Sequence, residues 1–157
     1  MVDFILQREF FHPEVQQTGK TNKQSSENVI MTAYEYAQNE QVLYLGLSNG
    51  KLCYFKSKSI EQKSIFGTGK APELHEIESP NCHKGEIRKI IYAKVNNMSL
   101  DVIITASSDR TIKLWEAKNV KSNPCFQTIV GHNGSILDMV YISKEGQVDQ
   151  LITSSTD

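Results

Sequence analysis

Landmark residues return at one interval along this chain. His83 and His132 are 49 positions apart, Tyr92 and Tyr141 are also 49 apart, and Asp109 and Asp157 are 48 apart. Ile87, Ile90 and Tyr92 are matched by Ile136, Met139 and Tyr141 at the same internal spacing. A more diverged copy lies earlier, with Val29, Thr32 and Tyr34 matched to Ile87, Ile90 and Tyr92, offset by 58 at Val29/Ile87 and by 60 at Phe55/Trp115. A period of roughly 40–50 residues means stacked copies of one supersecondary unit, none of which buries its apolar face alone.

The unit is all-β. In the best copy, residues 102–107 form a largely β-branched run and residues 111–115 alternate apolar with polar, which predicts two strands. Between them Ser107, Ser108, Asp109 and Arg110 form a polar turn, in which Asp and Ser side chains bond the backbone. Ser48-Asn49-Gly50 is a strong hairpin turn between predicted strands at 42–47 and 52–55. Further strands are predicted at 75–79 and 126–130.

The string I-I-T-A-S-S-D-R-T-I-K-L-W-E, with His83-Lys84-Gly85 ahead of it and Trp115-Glu116 closing it, resembles a WD-repeat blade. The implied fold is a WD-repeat β-propeller fragment built of four-stranded antiparallel blades. Residues 28–79 read as a degenerate blade, 80–130 as a well-matched one and 131–157 as the first two strands of an incomplete one. Residues 1–27 read as an N-terminal strand or linker, with 2–7 as the candidate strand. Two and a half blades leave unpaired edges, so the expectation is a piece of a larger propeller, completed in the same chain or by a partner.

The resemblance also implies a hydrogen-bonded blade network: His83, Ser107, Asp109 and Trp115 in the second copy, and His132, Ser155 and Asp157 in the third. The carboxylate would hold the imidazole, and the serine hydroxyl would link it to the indole N–H, satisfying polar groups that burial would otherwise leave unpaired. The first copy departs from the pattern, with Leu47, Asn49 and Phe55 in the equivalent places and no matching His. Packing and the Asn49-Gly50 turn must hold it together.

Ser, His and Asp together also suggest a hydrolase, but a triad needs a free Ser oxygen beside an oxyanion site. The same trio in two repeats fits architecture instead, and no enzyme activity is expected. His75, Cys82 and His83 lack the second ligand arm of a zinc site. Thr18-Gly19-Lys20-Thr21 resembles the end of a phosphate-binding loop, but Glu14 stands where its first Gly belongs. Gly67-Thr68-Gly69-Lys70 is followed by Ala71 and Pro72, where a hydroxyl residue and a helix are needed. No cofactor and no metal are expected.

With 157 residues, 22 % of them charged and a net charge of −1, the chain has no global field to draw nucleic acid or an anionic membrane. Its apolar runs fall far short of the roughly 20 residues of a membrane helix. An odd number of cysteines, Cys53, Cys82 and Cys125, is expected to be reduced, which suits an intracellular, cytoplasmic protein.

Function is expected in the loops. Blade topology brings the connections at 57–72, 94–101 and 117–125 to one face. Lys56, Lys58, Lys63, Lys70, Lys94, Lys118 and Lys121 lie on or beside them, with Glu61 the sole acid between 56 and 70. This predicts a basic face for an acidic protein partner. The resemblance implies a non-catalytic scaffold for protein–protein interaction in a multi-subunit complex. More loosely, it extends to the WD-repeat proteins of the ciliary axoneme, where acidic tubulin tails would suit such a face. The rival expectation is a substrate- or histone-recognition subunit of a ubiquitin-ligase or chromatin complex.

Overall fold

The computed structural model describes residues 28–56, 74–77, 79–95, 100–118, 124–144 and 147–157. Among them are ten strands and no helix. A first antiparallel sheet takes β1 (Met31–Ala37), β2 (Val42–Leu47), β3 (Leu52–Lys56) and β4 (His75–Glu76) in that order. A second takes β5 (Ile87–Lys94), β6 (Asp101–Ser107), β7 (Thr111–Glu116) and β8 (Cys125–Val130). A third pairs β9 (Ile136–Ile142) with β10 (Gln150–Ser155). The candidate strand at 2–7 and both Gly-Lys stretches lie outside the described residues.

The sheets stack face to face, which is why the central strand reads as a continuous apolar run. Successive side chains of a strand point to opposite faces, and β6 has a neighbour on each. Ile103 joins a core with Ile87, Ile90 and Trp115 against Tyr44, Leu52, Tyr54 and Ile77 of the first sheet. Val102, Ile104 and Ala106 join a second core with Ile136 and Met139 of the third sheet. Each buried Val, Ile, Leu or Met side chain among them contributes roughly 1.5–3 kcal/mol relative to exposure.

The three copies share one register. A bulge interrupts the first strand of each sheet, between Met31/Ala33 and between Ile87/Lys89, and again near Ser154/Ser155 in the third. This corrects the alignment of the first copy. Met31 pairs with Leu47 as Ile87 pairs with Ser107, and Tyr34 with Leu45 as Ile90 with Thr105. The residues equivalent to Ile87, Ile90 and Tyr92 are therefore Met31, Tyr34 and Tyr36, two positions beyond Val29, Thr32 and Tyr34. A slip of two preserves which side chains face which sheet, so the hydrophobic pattern alone did not expose it. The predicted strand at 75–79 also shortens to two residues, after which the Ile77 N–H still donates to the Leu52 carbonyl at 2.8 Å.

Neighbouring sheets are stapled by polar as well as apolar contacts. The Thr32 hydroxyl reaches the Ile87 carbonyl at 2.6 Å, and the Ser135 hydroxyl reaches the Ser108 carbonyl at 3.2 Å. At Gly46 the approach is close enough that a Cβ would stand 2.6 Å from Ile87 Cγ2.

Candidate functional site

The conspicuous polar residues of the second sheet form one directed chain. Trp115 Nε1–H donates to Thr105 Oγ1 at 2.8 Å, and Thr105 Oγ1 lies 2.7 Å from His83 Nε2. His83 Nδ1 in turn lies 3.0 Å from Asp109 Oδ2. With the imidazole neutral and its proton assigned to Nδ1, every donor meets an acceptor. Burial is the main reason that form is favoured: it pushes the His83 pKa below its ordinary 6.5, against the pull of Asp109.

Asp109 anchors the turn as well. Its Oδ2 accepts from the Lys84 N–H at 2.8 Å, and its Oδ1 accepts from the N–H and hydroxyl of Thr111 at 3.0 and 2.7 Å. Burial pushes this carboxyl up, but the Thr111, Lys84 and His83 contacts outweigh it and hold the pKa at about 2.

The link between imidazole and indole is Thr105, and this corrects the role given to Ser107. Ser107 instead donates to the Gly85 carbonyl at 3.0 Å and accepts the Asp109 N–H at 3.1 Å, tying two turns together. The reason is position along the strand. Ile103, Thr105 and Ser107 all point to the Trp115 side, but Thr105 pairs with Lys113, two residues from Trp115, whereas Ser107 sits beyond the last pair at the turn. Thr105 was legible in the sequence as a β-branched hydroxyl residue inside an apolar run.

The third sheet repeats the arrangement with Thr153, again in place of the expected serine, Ser155. His132 Nε2 lies 2.8 Å from Thr153 Oγ1 and Nδ1 3.1 Å from Asp157 Oδ1, while the Asn133 N–H donates to Asp157 Oδ2 at 2.8 Å. The Asn133 N–H contact, with His132, holds the Asp157 carboxyl far below the usual range. In the first sheet Leu45 replaces Thr105 and Phe55 replaces Trp115. Asn49 accepts only the Lys51 N–H, at 3.2 Å. Both sheets turn through a residue in the left-handed region, Gly50 at φ 82° and Arg110 at φ 71°.

These groups are engaged with one another and are not aimed at a substrate position. His83 is buried and both its ring nitrogens are occupied. Among the described residues no three His, Cys, Asp or Glu side chains are placed to hold a metal ion. Cys53, Cys82 and Cys125 are free thiols, and burial pushes that of Cys53 up to about 11, which makes it a poor nucleophile.

On the opposite face, Glu40 from the β1–β2 turn, Asp101 at the start of β6 and Lys118 just beyond β7 come together. Lys118 Nζ lies 3.1 Å from Asp101 Oδ2 and 3.9 Å from Glu40 Oε1, so its charge is compensated. Lys56 and Lys94 are exposed and form no ion pair among the described residues. Lys58, Lys63, Lys70 and Lys121 lie outside the described residues. The described part of this face is thus mixed in charge, with Glu40 and Asp101 set among its lysines.

No protein-family model matches the sequence, and no curated protein matches it at a significant level. Solved structures do resemble the fold. The computationally designed Ika8 protein superposes with a TM-score of 0.52 at 14 % identity, over 81 % of this chain and 30 % of that one. Saccharomyces cerevisiae Sqt1 does so with 0.54 at 12 % identity, over 80 % and 28 %. The WD40 repeats of RRP9 give 0.48 at 11 % identity, over 71 % and 29 %. The chain therefore spans about 30 % of the length of the structures it resembles. At such identities the likeness concerns the fold alone: antiparallel sheets stacked face to face as the blades of an all-β propeller fragment.

Proposed function

We propose that this chain is part of a non-catalytic WD-repeat scaffold that docks acidic protein partners in a larger intracellular assembly. The observation that carries the reading is a division of labour between faces. The buried polar network of one face is spent on holding turns, while on the other Lys56 and Lys94 stand exposed without an ion-pair partner among the described residues. Charges at a rim steer an encounter and confer salt dependence more than they supply affinity. A cytoskeletal setting such as the ciliary axoneme, with its acidic tubulin tails, would suit that chemistry.

Affinity capture of the full-length endogenous protein at low and high salt, read by mass spectrometry, tests the reading. Acidic cytoskeletal partners recovered at low salt and lost at high salt are the expected result. Reversing Lys58, Lys63 and Lys121 to Glu should weaken capture and flatten its salt dependence. Recovery of a ligase adaptor or of histones, indifferent to those reversals, would replace the scaffold with a recognition subunit.

A further inference from the structure

The chain holds two Asn-Gly steps, Asn49-Gly50 and Asn133-Gly134. Asparagine is thermolabile, and most so before glycine, where no side chain hinders attack of the following backbone nitrogen on the carboxamide. Asn49 and Asn133 are both exposed, but their surroundings differ. In the first blade the Gly50 N–H donates to the Leu47 carbonyl at 3.1 Å, and Asn49 Oδ1 accepts the Lys51 N–H at 3.2 Å. Nucleophile and carboxamide are both engaged until that turn opens. In the loop before β9, the Gly134 N–H and the Asn133 carboxamide have no hydrogen-bond partner among the described residues.

The blade itself demands the second glycine. A Cβ at Gly134 would stand 2.6 Å from the Asp157 nitrogen, and one at the equivalent Gly85 of the second blade would stand 2.5 Å from Ser108 Oγ. The residue ahead of each glycine is less constrained. Lys84 and Asn133 are both exposed, and each joins its network through its N–H, donated at 2.8 Å to Asp109 and to Asp157. Exposure at this position is thus a property of the turn, since the four-stranded second blade shows it too. A lysine there is inert towards its neighbour, and an asparagine is not.

We propose that Asn133-Gly134 is a site of spontaneous deamidation, and that the product loosens the turn joining the third blade to the second. The Gly134 nitrogen gives up its proton and bonds to Asn133 Cγ. The carboxamide C–N bond breaks, ammonia leaves and a succinimide ring closes. Water then opens the ring at either carbonyl, giving aspartate or isoaspartate. Isoaspartate routes the backbone through an extra methylene directly ahead of Gly134 and Ser135. Ser135 makes the contacts that such lengthening disturbs: its N–H donates to Thr156 Oγ1 at 2.9 Å, its carbonyl accepts the Thr156 N–H at 3.0 Å, and its hydroxyl reaches the Ser108 carbonyl at 3.2 Å. Either product also adds a carboxylate to the residue whose N–H Asp157 accepts, and the like charges repel. The inference goes beyond the acidic-partner reading and involves neither Lys56 nor Lys94.

Incubation of the full chain in warm, mildly alkaline buffer, with peptide mapping by mass spectrometry at successive times, tests it. Asn133 should convert about tenfold faster than Asn49, because the first turn must open before Asn49 can react. In urea the two should convert at similar rates. Isoaspartate should be the major product at Asn133. Hydrogen-exchange protection of the Ser135 and Thr156 amides should decline with the same time course. It should persist in Asn133→Gln, whose longer side chain closes the ring far more slowly. Asn49 converting as fast as Asn133 in the folded chain overturns the proposal, as does an Asn133 that stays intact while the chain in urea converts. Conversion of Asn133 with unchanged protection at Ser135 and Thr156 overturns the loosening of the turn.

Discussion

The first and second blades hold the same hairpin by different means. In the second, four side chains from two strands, a loop and a turn, Trp115, Thr105, His83 and Asp109, are joined in one hydrogen-bonded chain. In the first, Leu45 and Phe55 fill the corresponding positions, and the turn has only Asn49 bonded to the Lys51 N–H. The strand registers nevertheless agree pair for pair, Leu45 with Cys53 and Thr105 with Lys113. Apolar packing and turn geometry are therefore sufficient to set the register. The network adds a second specification, and one that costs heavily if half of it is removed, because the remaining groups are buried without partners. The first blade carries no such liability, and it places Gly50 where the second must hold Arg110 in a left-handed conformation.

Breaking the second blade at its centre should have the largest effect. Trp115 is fully buried, so Trp115→Ala should destabilise by about 3–5 kcal/mol through the cavity and the loss of the indole N–H donated to Thr105. Phe55→Ala in the half-buried equivalent position should cost clearly less. Urea denaturation of the two variants measures the difference, and equal losses would contradict the asymmetry between the blades.

Next comes the identity of the hydroxyl link. Thr105→Val keeps the shape but strands the indole N–H and the His83 ring, for a loss of about 2–3 kcal/mol. Ser107→Ala removes its two turn contacts, to the Gly85 carbonyl and from the Asp109 N–H, and should cost less, about 1 kcal/mol. The reverse ranking in thermal melts would return the linking role to Ser107.

Acid sharpens the comparison further, since the first blade has no titrating network. The folded-state pKa of His83 lies below 6.5, so the unfolded chain takes up the proton first. Stability should fall as the pH drops below about 6.5 towards the folded value. Asp109, at about 2 against 3.8, contributes on the order of 2 kcal/mol above the higher value, and this is lost as the pH falls towards the lower one. Hydrogen exchange followed down the pH scale should show β6 and β7 amides losing protection before those of β2. Simultaneous loss in both blades would mean that the network does not act locally.

The smallest effect is a gain. Arg110 adopts φ 71° with an exposed side chain, so Arg110→Gly should relieve backbone strain and stabilise by about 0.5–1 kcal/mol. A loss in calorimetry would show that the Arg110 side chain contributes something the geometry does not reveal.

Much of this was legible from the residues alone. The 49-residue recurrence, the turn residues at 48–50 and 108–110 and the alternating apolar positions led to the strands and their sheet order. The sequence gives the linking role to Ser107 because two hydroxyl residues, Thr105 and Ser107, share one face of β6. Choosing between them requires the pairing with β7, which no one-dimensional spacing contains. The first-strand register was misplaced for a related reason, since a slip of two leaves the pattern of buried and exposed positions intact. Lys118 counted as a free cation until Asp101 and Glu40, from other strands and a turn, were seen around it.

Sequence by itself determined that this is a repeat of four-stranded β units with Asp-centred turns, because periodicity and turn chemistry are local properties of the chain. Tertiary structure alone decided which hydroxyl joins His83 to Trp115, and that Lys118 is held by Asp101 and Glu40. Burial and partnership depend on what lies across a seam between sheets, and residues far apart in the chain supply it.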